Sequence, residues 1–163
     1  MDKPEWLPEM ISVSGVWEDL LRKLYDIFYR DFNMMERVKL GGIPVWWDRR
    51  ILKGDIYEEG FWHLVSRKED AAGDRLFDPR RAERLPWCRP VLEHSNDSAV
   101  KLWDYKEGRH KRTYVWLEHQ DYVIVLEKRH QRVGEVAFLI TAFHVDGPGQ
   151  RASLQKKLMK RLP

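Results

Sequence analysis

The chain has 163 residues, is 43% hydrophobic and 34% charged, and carries a net charge of +3 with a single cysteine, Cys88. Such a length lets one domain, or one domain with an appendage, fold on its own core, and one cysteine excludes both an intramolecular disulfide framework and a cysteine-rich zinc site. No apolar run approaches the roughly 18 residues that span a bilayer, and MDKPEWLPEM lacks the basic-then-apolar pattern of a signal peptide, so a cytoplasmic protein with no membrane partner is expected.

Residues 1–12 hold two prolines and read as an arm. From Ser14, a candidate cap, the apolar residues Val16, Trp17, Leu20, Leu21, Leu24, Ile27 and Phe28 recur at helical spacing. They predict a long amphipathic helix to about Val38, stopped by Gly41-Gly42, whose stripe packs on the domain or pairs with a partner. Ile43–Trp47 reads as a short strand, Asp48–Gly60 as a polar loop, Gly60–Arg67 (GFWHLVSR) as an aromatic strand and Lys68–Phe77 as a charged surface loop. Asp78-Pro79 is a helix start with Asp as cap and Pro at the first helical position. Pro86 breaks that helix near Leu85, with a second turn over Pro86–Glu93.

Val100–Tyr105, Thr113–Glu118, Tyr122–Arg129 and Val136–Val145 have strand composition, and His119-Gln120-Asp121 is short enough to close a hairpin. Alternation sets Tyr114 and Trp116 on the face opposite Val115 and Leu117. In the last strand it groups Val136, Phe138, Ile140 and Ala142 against Ala137, Leu139, Thr141 and Phe143, apolar on both sides as a central strand is. Gly147-Pro148-Gly149 ends that strand, and Gln150–Leu162 forms a basic helix. The class is α+β: a long N-terminal helix, then a central four-stranded antiparallel sheet with flanking helices and a basic C-terminal helix. The division expected is an arm and helix over 1–40 and an α+β domain over 41–163.

Charge and aromatic content point toward an anionic partner. Residues 101–132 carry +3 and 150–163 carry +5, and the chain holds 8 Trp, 6 Tyr and 6 Phe. No histidine spacing suits a metal, and no glycine-rich phosphate loop occurs, so no cofactor is expected. His63 is either an acid–base group or a buried structural histidine, with Arg67 on the same predicted face. Arg80, Arg81, Arg84 and Arg89 fall within ten residues around a helix start, as phosphate ligands or as a solvated face. Trp103, Tyr105, Tyr114 and Trp116 form an aromatic sheet face that either stacks bases or packs beneath the N-terminal helix. An imidazole, arginines and aromatics without a metal set fit metal-independent RNA cleavage.

The run from GFWHLVSR through RRAERLPWCRPVLEH, RTYVWLEHQDYVIVLEKR and FLITAFHVDG to the basic final helix resembles the phage-type branch of the barnase/EndoU/colicin/RelE-like nuclease superfamily. The resemblance covers roughly residues 42–162. It implies an α+β nuclease that cleaves RNA without metal, tRNA or ribosome-associated mRNA being typical targets, and it implies a toxin or defence-type effector with an antitoxin or immunity protein. It implies catalytic roles for His63, Arg81, Arg84, Thr141 and Glu118, with His144 contributing from the last strand. Arg67, Arg80, Arg89, Trp103, Tyr114, Trp116 and His144 are then the substrate-binding candidates. Two other readings stand beside this one: a non-catalytic RNA- or DNA-binding module, and an interaction domain docked through the N-terminal helix.

Overall fold

A computed structural model describes residues 2–68 and 75–163. Helix α1 (Trp17–Tyr29) buries Leu20, Leu24 and Phe28, one residue per turn on a single face, with Glu18 and Asp19 in its first turn favouring the positive end of the helix dipole. Ser14 does not cap it. Gly15, at φ +104°, turns the chain before the helix, and the flanking residue is Val16. The helix also ends well short of Val38: Arg30–Met34 forms a π-helical turn, whose Asp31 carbonyl accepts a hydrogen bond from Arg89 Nη1 at 2.5 Å. The glycine pair instead makes the two-residue turn of a hairpin between β1 (Lys39–Leu40) and β2 (Ile43–Trp46), both glycines at positive φ.

The expected strand GFWHLVSR is mostly a helix. α2 (Glu59–Val65) buries Phe61, Leu64 and Val65, a spacing of three and four residues. Only its tail enters β3 (Ser66–Lys68), which pairs with β4 (Arg75–Phe77); the rest of the expected surface loop, 69–74, lies outside the described residues. α3 (Pro79–Glu83) begins as expected, with the Asp78 carboxylate accepting from the Arg80 and Arg81 backbone N–H groups. A 3-10 turn (Leu85–Trp87) and α4 (Cys88–Glu93) follow the break at Pro86.

The four expected strands are β5 (Val100–Glu107), β6 (His110–Leu117), β7 (Tyr122–Gln131) and β8 (Gly134–His144). They form an antiparallel meander, but the sheet is mixed and six-stranded, in the order β1-β2-β8-β7-β6-β5. β2 adds in parallel to β8, for two residue pairs only: Val45 with Ala137 and Trp46 with Phe138. Beyond Phe138 the outer edge of β8 is left to α2 and α3, and the candidate site lies there.

A β-bulge corrects the expected faces of β8. Val125 faces Thr141 while Leu126 faces Leu139, so Ile140 is an extra residue and side-chain parity reverses after it. Ala142 therefore joins Ala137 and Leu139 in the main core, and Phe143 packs on the other side. That main core also takes Leu7 from the arm and Leu20, Leu24 and Phe28 from α1. α5 (Gly147–Met159) starts three residues earlier than expected and covers the second sheet face through Leu154. Among the described residues no helix is long and apolar enough to cross a membrane.

Candidate functional site

The edge of β8 presents Thr141 to the ends of α2 and α3. Thr141 Oγ1 donates to the His63 carbonyl at 3.2 Å and accepts from Arg81 Nη1 at 3.0 Å. The same Nη1 donates to the Ser66 carbonyl at 2.7 Å, while Arg81 Nε lies 3.4 Å from the Asp78 carboxylate. One guanidinium is thus fixed by three elements, and its plane is held before any ligand arrives. Arg75 Nη1 shares the Ser66 carbonyl, at 3.3 Å, and reaches Ser66 Oγ at 3.1 Å. Burial lowers the pKa of Arg81, with Asp78 opposing it.

Arg81 forms one wall of a cleft of about 570 Å³, lined also by Arg67, Asp78, Arg80, Phe143, His144, Asp146 and Gln150. Asp78 organises the cationic side, because it caps α3 and pairs with Arg67 at 3.5 Å as well as with Arg81. Opposite stands His144, paired across the sheet with Tyr122. Its Nδ1 is buried without a partner, which leaves Nε2 as the ring nitrogen available to a ligand. Burial pushes the imidazole pKa below its usual value, and Arg84 and Arg80 push in the same direction. His144 is neutral at pH 7 and can accept a proton.

Arg67, Arg80, Arg81, Thr141 and His144 thus come together on or beside one cleft. Other candidates do not join them. Arg84 is 8% exposed, pairs with Glu83 at 2.6 Å and donates to the Arg80 carbonyl, so its charge is spent inside the fold. Arg89, 4% exposed, ties α4 to the π-helical turn and to Glu93. The break at Pro86 separates Arg89 from Arg80 and Arg81, whereas Arg84 closes α3 and turns its guanidinium back onto that helix.

Trp103, Tyr114 and Trp116 are buried, with Trp103 stacked on Tyr114 at 5.2 Å. Their cover is α5, not the N-terminal helix, and Lys157 of α5 donates to Tyr114 Oη at 3.0 Å. Glu118 opens the β6–β7 turn, where Lys101 at 2.9 Å and Arg151 at 3.8 Å hold it. The Lys101 bond keeps its carboxyl below the ordinary range, the wrong direction for an acid at neutral pH.

His63 touches this network through its main chain. Its ring is half-buried on α2, with Nδ1 unpartnered, and is not part of the cleft wall. Burial and the charge of Arg75 push its pKa down to about 4, against an opposing pull from Asp48. Burial pushes the Cys88 thiol up to about 12, as an inert core residue requires.

Comparison of this chain with protein-family models, with curated proteins and with solved structures finds no match. The site stands on its geometry alone. Among the described residues no group of three His, Cys, Asp or Glu side chains is placed to hold a metal ion. Sequence reading missed Asp78 as the organiser of the arginines, although its capping position was the available signal. It also missed Ser66 and Arg75, which the α2–β3–β4 fold brings to the network holding Arg81, and Phe143, which lines the cleft.

Proposed function

We propose that the protein is a metal-independent endoribonuclease of the kind the sequence resemblance implies. The observation that carries this reading is the fixed Arg81, which lines one open cleft together with Arg67, Arg80 and the imidazole of His144. Guanidinium forks match a phosphodiester, and prefixed donors stabilise the charge that develops on it without reorganising. In this reading His144 takes the proton of the 2′-hydroxyl and the 2′-oxygen attacks phosphorus. Arg80 and Arg81 neutralise the phosphorane, and the bond to the 5′-oxygen breaks to leave a 2′,3′-cyclic phosphate. The departing oxygen takes its proton from water. Arg67 and Phe143 position the chain, and Thr141 acts by holding Arg81. An enzyme of this kind harms the cell that makes it, so an acidic antitoxin or immunity protein closing the cleft is the partner proposed.

A non-catalytic RNA-binding module is favoured by a different observation: the carboxylates of Asp78 and Glu118 are both held in ion pairs. Cleavage of total cellular RNA in EDTA by the wild type, His144→Gln, Arg81→Gln and His63→Ala separates the two. Fragments ending in 2′,3′-cyclic phosphate from the wild type and from His63→Ala, but not from the first two variants, support the nuclease. RNA binding without any product selects the module.

A further inference from the structure

A second basic cleft, of about 560 Å³, opens where β2 joins β8. Trp46 and Phe138, neighbours across the parallel ladder, supply half-buried aromatic surface, and Arg37, Arg49, Arg50 and Arg129 surround them. Its one carboxylate, Asp48, is gripped by Arg50 through contacts of 2.6 and 3.0 Å, which neutralises a single cation. Arg129 lies over the Phe138 ring at 3.9 Å and leans toward Glu127 at 3.4 Å. Arg49 lies over Trp47 at 4.1 Å. Arg37 and Arg49 are exposed and have no acidic partner among the described residues. Trp46 adds an indole N–H that is buried with no acceptor.

We infer that this cleft binds nucleotides of single-stranded RNA that flank the bond cut in the first cleft. Unpaired guanidiniums beside accessible aromatic rings fit a chain that offers phosphates and base faces in turn. An acidic peptide would satisfy the charges but would leave the half-buried ring of Trp46 without a flat partner, Phe138 already having Arg129 over it. The two clefts also share scaffolding. Phe138 of the second and Phe143 of the first lie on β8, where the bulge leaves four ladder steps between them, about 13 Å at ~3.3 Å per residue. Helix α2 is tied to both: at its start the Glu59 and Gly60 N–H groups donate to the Arg50 and Asp48 carbonyls at 2.8 Å, and at its end the Ser66 carbonyl accepts from Arg81. RNA lying along the β8 edge reaches both.

The inference rests on the nuclease reading only for the position of the cut, and its test separates the two. Binding of a labelled RNA of about 12 nucleotides and of a dinucleotide is measured for the wild type and for Arg37→Gln/Arg49→Gln, across a salt series. Both substitutions are at exposed positions, and thermal melts establish that the variant is folded. The expected result is at least a tenfold loss of affinity for the longer RNA, with dinucleotide binding unchanged. The salt slope should fall by about 1.4, at ~0.7 per lost single-strand phosphate contact. With cleavage, KM for the longer RNA rises and kcat holds. If nothing is cleaved but the binding difference persists, the second cleft stands and the catalytic reading falls. Unchanged affinity and slope, absence of RNA binding by the wild type, or equal binding of poly-glutamate overturns the inference.

Discussion

At the scale of single residues, Arg81 concentrates the argument, because one nitrogen bridges the end of α2 to the edge of β8. A lysine keeps the charge but is a point donor on a flexible stem, and cannot hold the Ser66 carbonyl and Thr141 while facing a ligand. Arg81→Lys should therefore lower kcat by about 10²–10³-fold, the usual loss when a prefixed donor to developing charge is removed. A fall of less than tenfold would show that charge alone suffices. The imidazoles make separable pH predictions. His144 is active when neutral and its pKa is depressed, so kcat/KM should rise with pH through a midpoint below the usual histidine value. His144→Gln should abolish that limb. His63 reports on stability. Its pKa of about 4 in the folded chain lies below the ordinary histidine value of about 6.5, so the unfolded chain binds the proton more readily. Stability is complete above the unfolded value and falls as pH drops from 6.5 toward 4; thermal melts of His63→Gln should show a shallower decline over that window.

At the scale of elements, what was legible in the sequence depended on whether local preference and tertiary role agreed. The meander strands and the Asp78-Pro79 helix start were readable, because alternation, cap and proline all pointed the same way. GFWHLVSR misled because aromatic and β-branched residues favour strands in composition, whereas Phe61, Leu64 and Val65 keep helical spacing, and burial follows spacing. The bulge at Ile140 was invisible, since an extra residue in a continuous apolar run leaves no mark on composition. The position of α2 is itself testable. A Cβ at Gly60 would stand 2.7 Å from Trp47 Cδ1 and 3.0 Å from the Asp48 carbonyl, so Gly60→Ala must displace the helix or the backbone before it. A loss of about 1–3 kcal/mol is expected in denaturant unfolding, the usual cost of overpacking. Because α2 ends at Ser66, which holds Arg81, cleavage should weaken along with stability.

At the scale of the whole molecule, the N-terminal segment is built into the core. α1 turns Leu20, Leu24 and Phe28 into the main core, while Val16 and Trp17 at its start stay exposed. The arm ahead of it is anchored at both ends. Trp6 stacks on His94 at 4.4 Å and donates to Asp97, Trp87 donates to the Pro8 carbonyl, and Ile11 donates to the Glu83 carbonyl. Leu7 is 3% exposed, and its burial alone stabilises by roughly 1.5–3 kcal/mol. Glu83 closes α3, so the arm braces the helix that presents Arg80 and Arg81 from behind. Deleting residues 2–12 should lower the melting temperature by at least about 4 °C, at ~2–4 °C per kcal/mol for a chain of this size. Below that transition the deleted protein should still bind RNA through the β2–β8 cleft, whose residues make no contact with the arm in the main-chain or side-chain hydrogen bonds described above. Cleavage should fall further than binding, because the arm supports the arginines of the first cleft and none of those in the second. Equal losses in both would mean that the arm holds the fold as a whole and has no particular hold on α3.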